Sequence, residues 1–549
     1  MTQATETLAR VREIARDVMG LDALRPAQQE AAAALASGRD CLAVLPSGAG
    51  KSAIYQIAAV ALGGPAVVVS PLLALQHDQA EGLRARGLTA VTVNALSGPA
   101  GRNDADELLS GGRTGFIFLG PEQLARDDVR ASLARASVRL LAVDEAHCIS
   151  SWGHDFRPDY LRLGSVIDAF PARPAVAALT ATAAPPVRQE IAARLGLHDP
   201  RVVIRDFDRP EIHLSVRSFH RADDKQHAVL AAVREQPGSG LVYAATRKEA
   251  EDYAAQLGVR HYHGGTSRAE RLEAERAFER GATIVATSAF GMGIDRGDVR
   301  FVVHASVPGS LDEYYQEIGR SGRDGRPATA ICCYRAEDLG LQQHFAAGLP
   351  DERDLTALAG AVDGPLTRKE LTARTGMPPL RLAELLNLLE GAGAVRLGRQ
   401  VEPADNPLAP AEAAARAVEL ARHHRSVERS RVEMMRHYAE MTDCRRRFLL
   451  QYFGEAVSRA CGHCDNCEAG RSRPVVPAGI FSPGERVQHH DWGPGLVIES
   501  ESDRLTVLFD VYGYRELATQ VVSGRHLLAP AFPGPPAAGF GDRTTPAAG

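Results

Sequence analysis

Eight short runs, "CLAVLP", "AVVVSP", "FIFLGP", "LLAVDEAH", "AVAALTAT", "GLVYAAT", "TIVATSA" and "RFVVHAS", recur up to about residue 335 and alternate with helical stretches. Short runs that stay apolar from one residue to the next mark strands buried on both faces. Burial of that kind calls for parallel sheets covered by crossover helices. At 549 residues the chain is too long for one core, so three or more domains are expected.

Beyond residue 335 the strands disappear and helical periodicity continues to about 470. A Pro-rich linker, "RSRPVVPAGIFSPG", then leads to a β-like segment over 484–530. The last stretch, "PAFPGPPAAGFGDRTTPAAG", has the Pro/Gly/Ala composition of a disordered tail. No internal repeat of helical-solenoid or propeller length is present. Hydrophobic residues make up 45% and charged residues 24%, as in soluble globular proteins. No apolar run reaches the length of a membrane span, and "MTQATETLARVREIARDVMG" reads as a charged amphipathic helix and not a signal peptide. The expected location is therefore the cytoplasm, in association with the nucleoid. There the eight cysteines would be reduced, and a close group of four would indicate metal before disulfide. The net charge of −5 argues against a uniformly basic nucleic-acid binder and leaves room for a local basic face. Only four of the 63 basic residues are lysines, which reads as genomic base composition.

Two motifs carry phosphate chemistry. In "CLAVLPSGAGKSAIYQ" a strand, a Gly-rich turn and a helix start follow one another. Backbone N–H groups over Ser47, Gly48, Ala49 and Gly50 would cradle phosphates, with Lys51 reaching the β/γ-phosphates and the Ser52 hydroxyl holding Mg²⁺. The first glycine of the usual pattern is missing, and Leu45-Pro46-Ser47 stands at that end; a chance glycine turn is the bland alternative. The apolar strand "LLAV" ends in Asp144-Glu145, where a Walker-B carboxylate reaches Mg²⁺. Asp144 would hold the metal and Glu145 would orient or deprotonate the attacking water. A solvated acidic turn is the competing reading.

"GAGKS", "SPLLALQHDQ", "DEAH", "LTATA", "ATSAFGMGID" and "YYQEIGRSGRDG" occur in the order of superfamily-two helicase motifs, and "DEAHCISSWGHDFRPDY" closely resembles the RecQ DNA helicases. The resemblance covers roughly residues 19–345 and resumes over about 421–470. It implies two RecA-like domains with ATP between them and 3′-to-5′ unwinding of DNA. It also implies that the loop carrying Trp152, His154, Phe156 and Arg157 senses single-stranded DNA, an aromatic face being able to stack on any base; Trp152 packing between domains is the alternative. "LRPAQ" resembles the adenine-recognition motif, with Gln28 on the base edge and Arg25 near the ring, although Leu21 stands where relatives carry an aromatic residue. In "QEIGRSGRDG" the spacing of Gln316, Arg320 and Arg323 suggests neighbours on a helix face. Arg323, with Arg320 as a second candidate, would cross the cleft toward the γ-phosphate; surface ion pairs are the plain alternative. Asp295 stands where many relatives have Asn.

Cys444, sixteen residues, then Cys461-x-x-Cys464-x-x-Cys467 offer four thiolates for tetrahedral Zn²⁺ in a closed, structural site. The spacing also matches the RecQ zinc module. His463 is an alternative ligand, and redox use of the cysteines an alternative role. The neighbouring "CRRR" run, Arg445 to Arg447, would offer positive charge to DNA phosphates. Cys41, Cys148, Cys332 and Cys333 read as core residues. Between 346 and 405 an extra segment reads as helix, turn at Gly376-Met377-Pro378, helix and β-like wing, with Leu371, Met377, Leu382, Leu385, Leu386, Leu389 and Val395 as its core. It looks like a winged helix displaced ahead of the zinc module, or else a plain helical insert. The 484–530 segment looks like a Tudor or SH3-like barrel, whose partner would be RNA polymerase, a repair protein or DNA.

The expected fold class is α/β: RecA-like domains over 1–205 and 206–345, an insert over 346–405, a zinc-binding helical module over 421–470, a small barrel over 484–530 and a tail from 531. The expected activity is ATP- and Mg²⁺-dependent unwinding of duplex DNA on a single-stranded track, serving repair and recombination. A DNA-bound ATPase adaptor without processive unwinding, and an RNA helicase, are the alternatives.

Overall fold

The structure is a computed structural model and describes residues 3–94, 97–150, 157–205, 207–290, 296–340, 349–398, 400–455, 457, 459–472, 480–500, 503–510 and 512–531. Its first sheet contains β1 (Cys41–Val44), β2 (Pro65–Val69), β3 (Ala90–Val93), β4 (Gly115–Leu119), β5 (Leu140–Val143), β6 (Ala175–Thr180) and β7 (Arg201–Ile204). They lie in the order β3-β4-β2-β5-β6-β1-β7, all parallel. Every residue of β1, β2, β4, β5 and β6 is buried, which is why these strands are almost wholly apolar. The edge strand β3 is half-buried at two positions, and the edge strand β7 exposes two side chains. Because β6 lies between β1 and β5, the turns after these three strands meet at one carboxyl edge, where open α/β sheets bind ligands.

The second sheet is also parallel. It orders β8 (Ile212–Ser218), β9 (Gly240–Tyr243), β10 (Arg260–Tyr262), β11 (Ile284–Ala286), β12 (Phe301–His304) and β13 (Ala328–Tyr334) as β10-β11-β9-β12-β13-β8. Cys41, Cys148, Cys332 and Cys333 are buried in the two domains, as their spread through strands and turns implied.

The extra segment forms helices Glu352–Ala361, Arg368–Thr375 and Pro379–Gly391, followed by the antiparallel pair β14 (Val395–Leu397) and β15 (Val401–Pro403). Thr367 and Glu370 close a capping box at the second helix. Gly376, at φ +70°, ends it in the left-handed conformation that glycine adopts without strain. Leu371, Leu382, Leu385, Leu386, Leu389 and Val395 are buried in one cluster, with Met377 packed at its side. Three helices and a two-stranded antiparallel ribbon share this core.

One 31-residue helix, Pro410–Glu440, continues from the insert into the zinc-binding region and passes straight through residue 421, where the zinc module was expected to begin. Its first turns put Ala413, Ala414, Ala417 and Val418 into the insert core. Its last turns put Val427, Met434, Met435 and Tyr438 into the core shared with the second domain. At 1.5 Å per residue it is about 45 Å long.

The C-terminal sheet contains β16 (Arg486–His489), β17 (Gly493–Ser500), β18 (Arg504–Phe509), β19 (Gly513–Ala518) and β20 (Leu528–Pro530), antiparallel in the order β19-β18-β17-β16-β20. Val487, Val497, Val507 and Phe509 fill it, with Trp492 packed against them. It docks onto the helices: Tyr514 stacks on Tyr452 with centroids 5.5 Å apart, and His437 Nε2 lies 2.9 Å from Glu499 Oε2. No helix among the described residues is long and apolar enough to cross a membrane.

Candidate nucleotide cleft and zinc site

The turn after β1 places two glycines with positive φ, Gly48 at +78° and Gly50 at +71°. Gly50 is the N-cap of helix Lys51–Leu62, so Lys51 and Ser52 occupy its first turn. Ser47 and Ala49 complete the loop, and Ala49 is buried. Lys51 Nζ donates to the carbonyl oxygens of Leu45 at 3.1 Å and Pro46 at 3.4 Å. Burial lowers its pKa, against the opposing pull of Glu145 and Asp144. Ser52 lies within hydrogen-bonding reach of the Tyr55 hydroxyl.

Asp144 follows β5 directly. Its Oδ2 accepts from the Ser70 hydroxyl at 3.3 Å, and burial beside the Glu145 charge pushes its pKa up to about 6. Glu145 has φ 47° and ψ 47°, a left-handed conformation that strains a non-glycine residue and marks functional turns. Its side chain lies beside His147, whose Nδ1 is 3.3 Å from Glu145 Oε2 and 2.8 Å from Thr180 Oγ1. Thr180 Oγ1 in turn donates to Thr182 O at 2.9 Å. The acidic motif and "LTATA" are thus one hydrogen-bonded unit. The sequence marked "LTATA" as a motif without assigning any of its residues a part.

Gln28, on helix Pro26–Ala36, is buried against the phosphate loop. Its Nε2 donates to Ala49 O at 3.0 Å and Gly50 O at 3.2 Å, while its Oε1 accepts from the backbone N–H of the exposed Arg25 at 2.8 Å. A Cβ on Gly50 would sit 2.4 Å from Gln28 Nε2, so a side chain there would displace the Gln28 amide as well as strain the left-handed backbone. Leu21 packs beside the core of this domain.

From the second domain, helix Leu311–Ile318 carries the half-buried Gln316 and ends before either arginine. This corrects the shared-helix-face reading: Arg320 and Arg323 lie in a turn beyond the C-cap, Gly319. The turn separates the two. Arg323 lies against the phosphate loop, where a Cβ on Gly48 would come within 3.1 Å of its Cδ, and its Nε donates to Gly319 O at 3.3 Å. Arg320 points into its own domain, where it meets the Tyr243 hydroxyl and offsets some of the burial that pushes Glu317 up to about 8. Of the expected DNA-sensing residues, Trp152, His154 and Phe156 lie outside the described residues, as does Asp295. Arg157 is described, its N–H donating to Cys148 O at 2.8 Å.

Cys444, Cys461, Cys464 and Cys467 bring their Sγ atoms within 4.8 Å of one another. Zn–S bonds of about 2.3 Å at tetrahedral angles put sulfurs about 3.8 Å apart, the separation of Cys461 and Cys467. Backbone N–H groups donate to the sulfurs as well, from Arg447 and Cys461 to Cys444 and from His463 to Cys461. Hydrogen bonds from Cys461 and Cys464 lower the pKa of the Cys444 thiol. The donor set fits zinc. His463 is exposed and turned toward Glu468, which leaves four sulfurs as the set. Cys464 also bridges to Leu214 of β8, so the metal loop is fastened to the edge of the second sheet.

The expectation for the "CRRR" run is overturned. Arg445, Arg446 and Arg447 are buried. Arg445 Nε donates to Asp465 Oδ1 at 2.6 Å and Arg446 Nη1 to Asp208 Oδ1 at 2.9 Å, and Arg447 is paired with Asp443. These arginines join the zinc loop to the second domain and present no charge to DNA.

Comparison with known proteins agrees with this layout. Residues 25–191 match the DEAD/DEAH box helicase family, 224–325 the helicase conserved C-terminal domain, and 411–468 the RecQ zinc-binding family. The ATP-dependent DNA helicase RecQ of Bacillus subtilis is 30% identical over 480 residues, covering 85% of this chain and 68% of its own length. RecQ of Pasteurella multocida is 32% identical over 463 residues, covering 83% of this chain. The chain spans 62% of the length of that relative and 63% of the Haemophilus influenzae RecQ. Among solved structures, the DUF1998 helicase MrfA bound to DNA and AMPPNP aligns with a TM-score of 0.51 at 19% identity, over 75% of this chain and 63% of that one, a likeness of fold. Two tandem RecA-like domains, with a phosphate loop on one faced by an arginine from the other, define the superfamily-two helicase class. Within that class, the chain belongs to the RecQ family of ATP-dependent DNA helicases.

Proposed function

We propose that this chain couples ATP hydrolysis to translocation on single-stranded DNA and unwinds duplex DNA with 3′-to-5′ polarity, in repair and recombination. The reading is carried by one observation: Arg323 of the second domain lies against Gly48 of the first domain's phosphate loop, so the site is complete only when the two domains are closed on each other. Lys51 and the loop N–H groups bind the ATP phosphates, replacing the Leu45 and Pro46 carbonyls that Lys51 now holds. Ser52 and Asp144 would hold Mg²⁺, which would neutralise phosphate charge. Glu145, fixed by its strained backbone and by His147, orients the attacking water. Arg323 meets charge developing on the γ-phosphate, and Arg320, held at Tyr243, keeps the turn that carries Arg323 in place. Gln28 reads the adenine edge, with Arg25 and Gln316 at the border of the cleft. Trp152, His154, Phe156 and Arg157 report bound DNA to the adjoining acidic motif.

The test is strand displacement on duplexes with a 3′ or a 5′ single-stranded tail, with and without ATP. ATP-dependent separation of the 3′-tailed duplex alone is the expected result. DNA-stimulated hydrolysis without separation of either duplex would replace this reading with that of a DNA-bound ATPase adaptor, and stimulation by RNA in place of DNA with that of an RNA helicase.

A further inference from the structure

A cavity of about 390 Å³ lies between the middle of helix Pro410–Glu440 and strand β19, and arginines dominate its wall. Arg422, Arg425 and Arg429 fall at i, i+3 and i+7 on the helix, hence on one face, and Arg515 adds a fourth guanidinium from the C-terminal sheet. Like charges at this spacing repel. The carboxylate at the cavity is Glu433, which Arg436 already holds at 3.0 Å. One turn away, Arg431 is paired with Glu428 at 2.6 Å. Among the described residues, no such partner stands beside Arg422, Arg425, Arg429 or Arg515. Arg425 Nε is buried without a hydrogen-bond partner. Arg515 meets neutral oxygens, Tyr514 O at 2.8 Å and Ser426 Oγ at 3.4 Å, and burial lowers its pKa.

Four guanidinia gathered beside a single carboxylate that Arg436 already holds, one of them with a buried orphan donor, form half of an ionic site. We propose that this cavity holds consecutive phosphates of a single nucleic-acid strand, bound jointly by the zinc-region helix and the C-terminal sheet. The planar guanidinium fork fits phosphate oxygens two at a time. Arg422 and Arg429 are about 10 Å apart along the helix axis, a span that suits an extended polyanion better than one small anion. The proposal rests on the DNA-translocating reading for the identity of the strand. It adds a binding surface that the C-terminal sheet makes possible, since Arg515 belongs to β19.

Arg422 and Arg429 are exposed, so R422A/R429A leaves the fold and the basal, DNA-free ATPase unchanged. A fluorescent oligothymidylate is titrated with the full-length chain over a range of salt concentrations. Each phosphate of a single strand that an arginine neutralises adds about 0.7 to the slope of log affinity against log salt. That slope should therefore fall by about 1.4 in the double variant and by about 0.7 in R515A. Parental slopes in both variants, with strand separation intact, would overturn the cavity site and leave the helicase reading standing. A parent that binds no oligothymidylate overturns both. A glutamate-rich fluorescent peptide is the second probe. If R422A/R429A loses the peptide and keeps DNA, the cavity belongs to an acidic protein partner and the proposal fails.

Discussion

The nucleotide cleft and the zinc hairpin each carry a cluster of arginines, Arg320 and Arg323 in "GRSGRDG" and Arg445 to Arg447 in "CRRR", and the two clusters stand in opposite surroundings. Arg323 lies where a second cation, Lys51, already stands, close enough to help depress that lysine's pKa. Two cations brought together around a glycine loop are stable when a polyanion joins them. In the hairpin each arginine has a carboxylate of its own, Asp465, Asp208 or Asp443. A run of positive charge therefore does not declare its use. The carboxylates the fold brings to it do, and two of these three stand elsewhere in the chain.

The largest effect separates metal from arginine pairing as the support of the hairpin. Thiolate–zinc bonds supply folding free energy on the order of 10 kcal/mol in small zinc units, and Cys464 also fastens the loop to β8. Metal analysis should find one zinc per parental chain and none in Cys464→Ser, with the variant unfolding at a much lower temperature. A serine variant that keeps its parental thermal midpoint would leave the arginine pairs as the sole support.

The two arginine clusters should then respond oppositely. In the proposed role Arg323 meets charge on the γ-phosphate, so with Arg323→Ala hydrolysis should fall about 10³-fold or more with no change in thermal midpoint. Arg445→Ala strands Asp465 and opens a buried pair, at a cost of about 3–5 kcal/mol in unfolding by denaturant. The ATPase rate per folded molecule should stay near parental. If Arg445→Ala lowers hydrolysis and spares stability, the contrast between the clusters collapses.

Much of this was legible from residues alone, and the failures have a common cause. The parallel sheets follow from runs such as "AVVVS" that stay apolar at successive positions, since only burial on both faces demands that. The phosphate loop, Asp144-Glu145 and the four cysteines are short-range patterns whose chemistry is set by spacing. Leu382, Leu385, Leu386 and Leu389 announced the insert's core by helical period. What failed depended on distant partners. Asp208 lies 238 residues before Arg446, so burial of the hairpin arginines could not be read from "CRRR". The end of helix Leu311–Ile318 was hidden because Gly319 closes it with an ordinary right-handed cap, leaving the i+4 spacing of Arg320 to suggest a helix that had already stopped. The contacts of His147 with Glu145, of Thr180 with His147 and of Tyr243 with Arg320 were not legible because the fold, and not local spacing, brings Thr180 and Tyr243 to their partners.

The smallest effect concerns Gln28, which sits on the cleft side of the comparison but makes only neutral hydrogen bonds. Both Nε2 hydrogens are committed to Ala49 O and Gly50 O, and one Oε1 lone pair to the Arg25 N–H. A single Oε1 lone pair remains, and it suits the adenine amino group, whereas guanine presents a carbonyl at that position. One neutral hydrogen bond contributes about 0.5–1.5 kcal/mol, or roughly two- to tenfold in affinity. Gln28→Ala should therefore loosen the loop and weaken ATP and GTP together, with ATP losing the extra two- to tenfold. Nucleotide titrations of the parent and variant with both triphosphates measure the difference directly. Equal losses would assign Gln28 to the loop tether alone, and the choice of adenine would then rest on other residues at the border of the cleft.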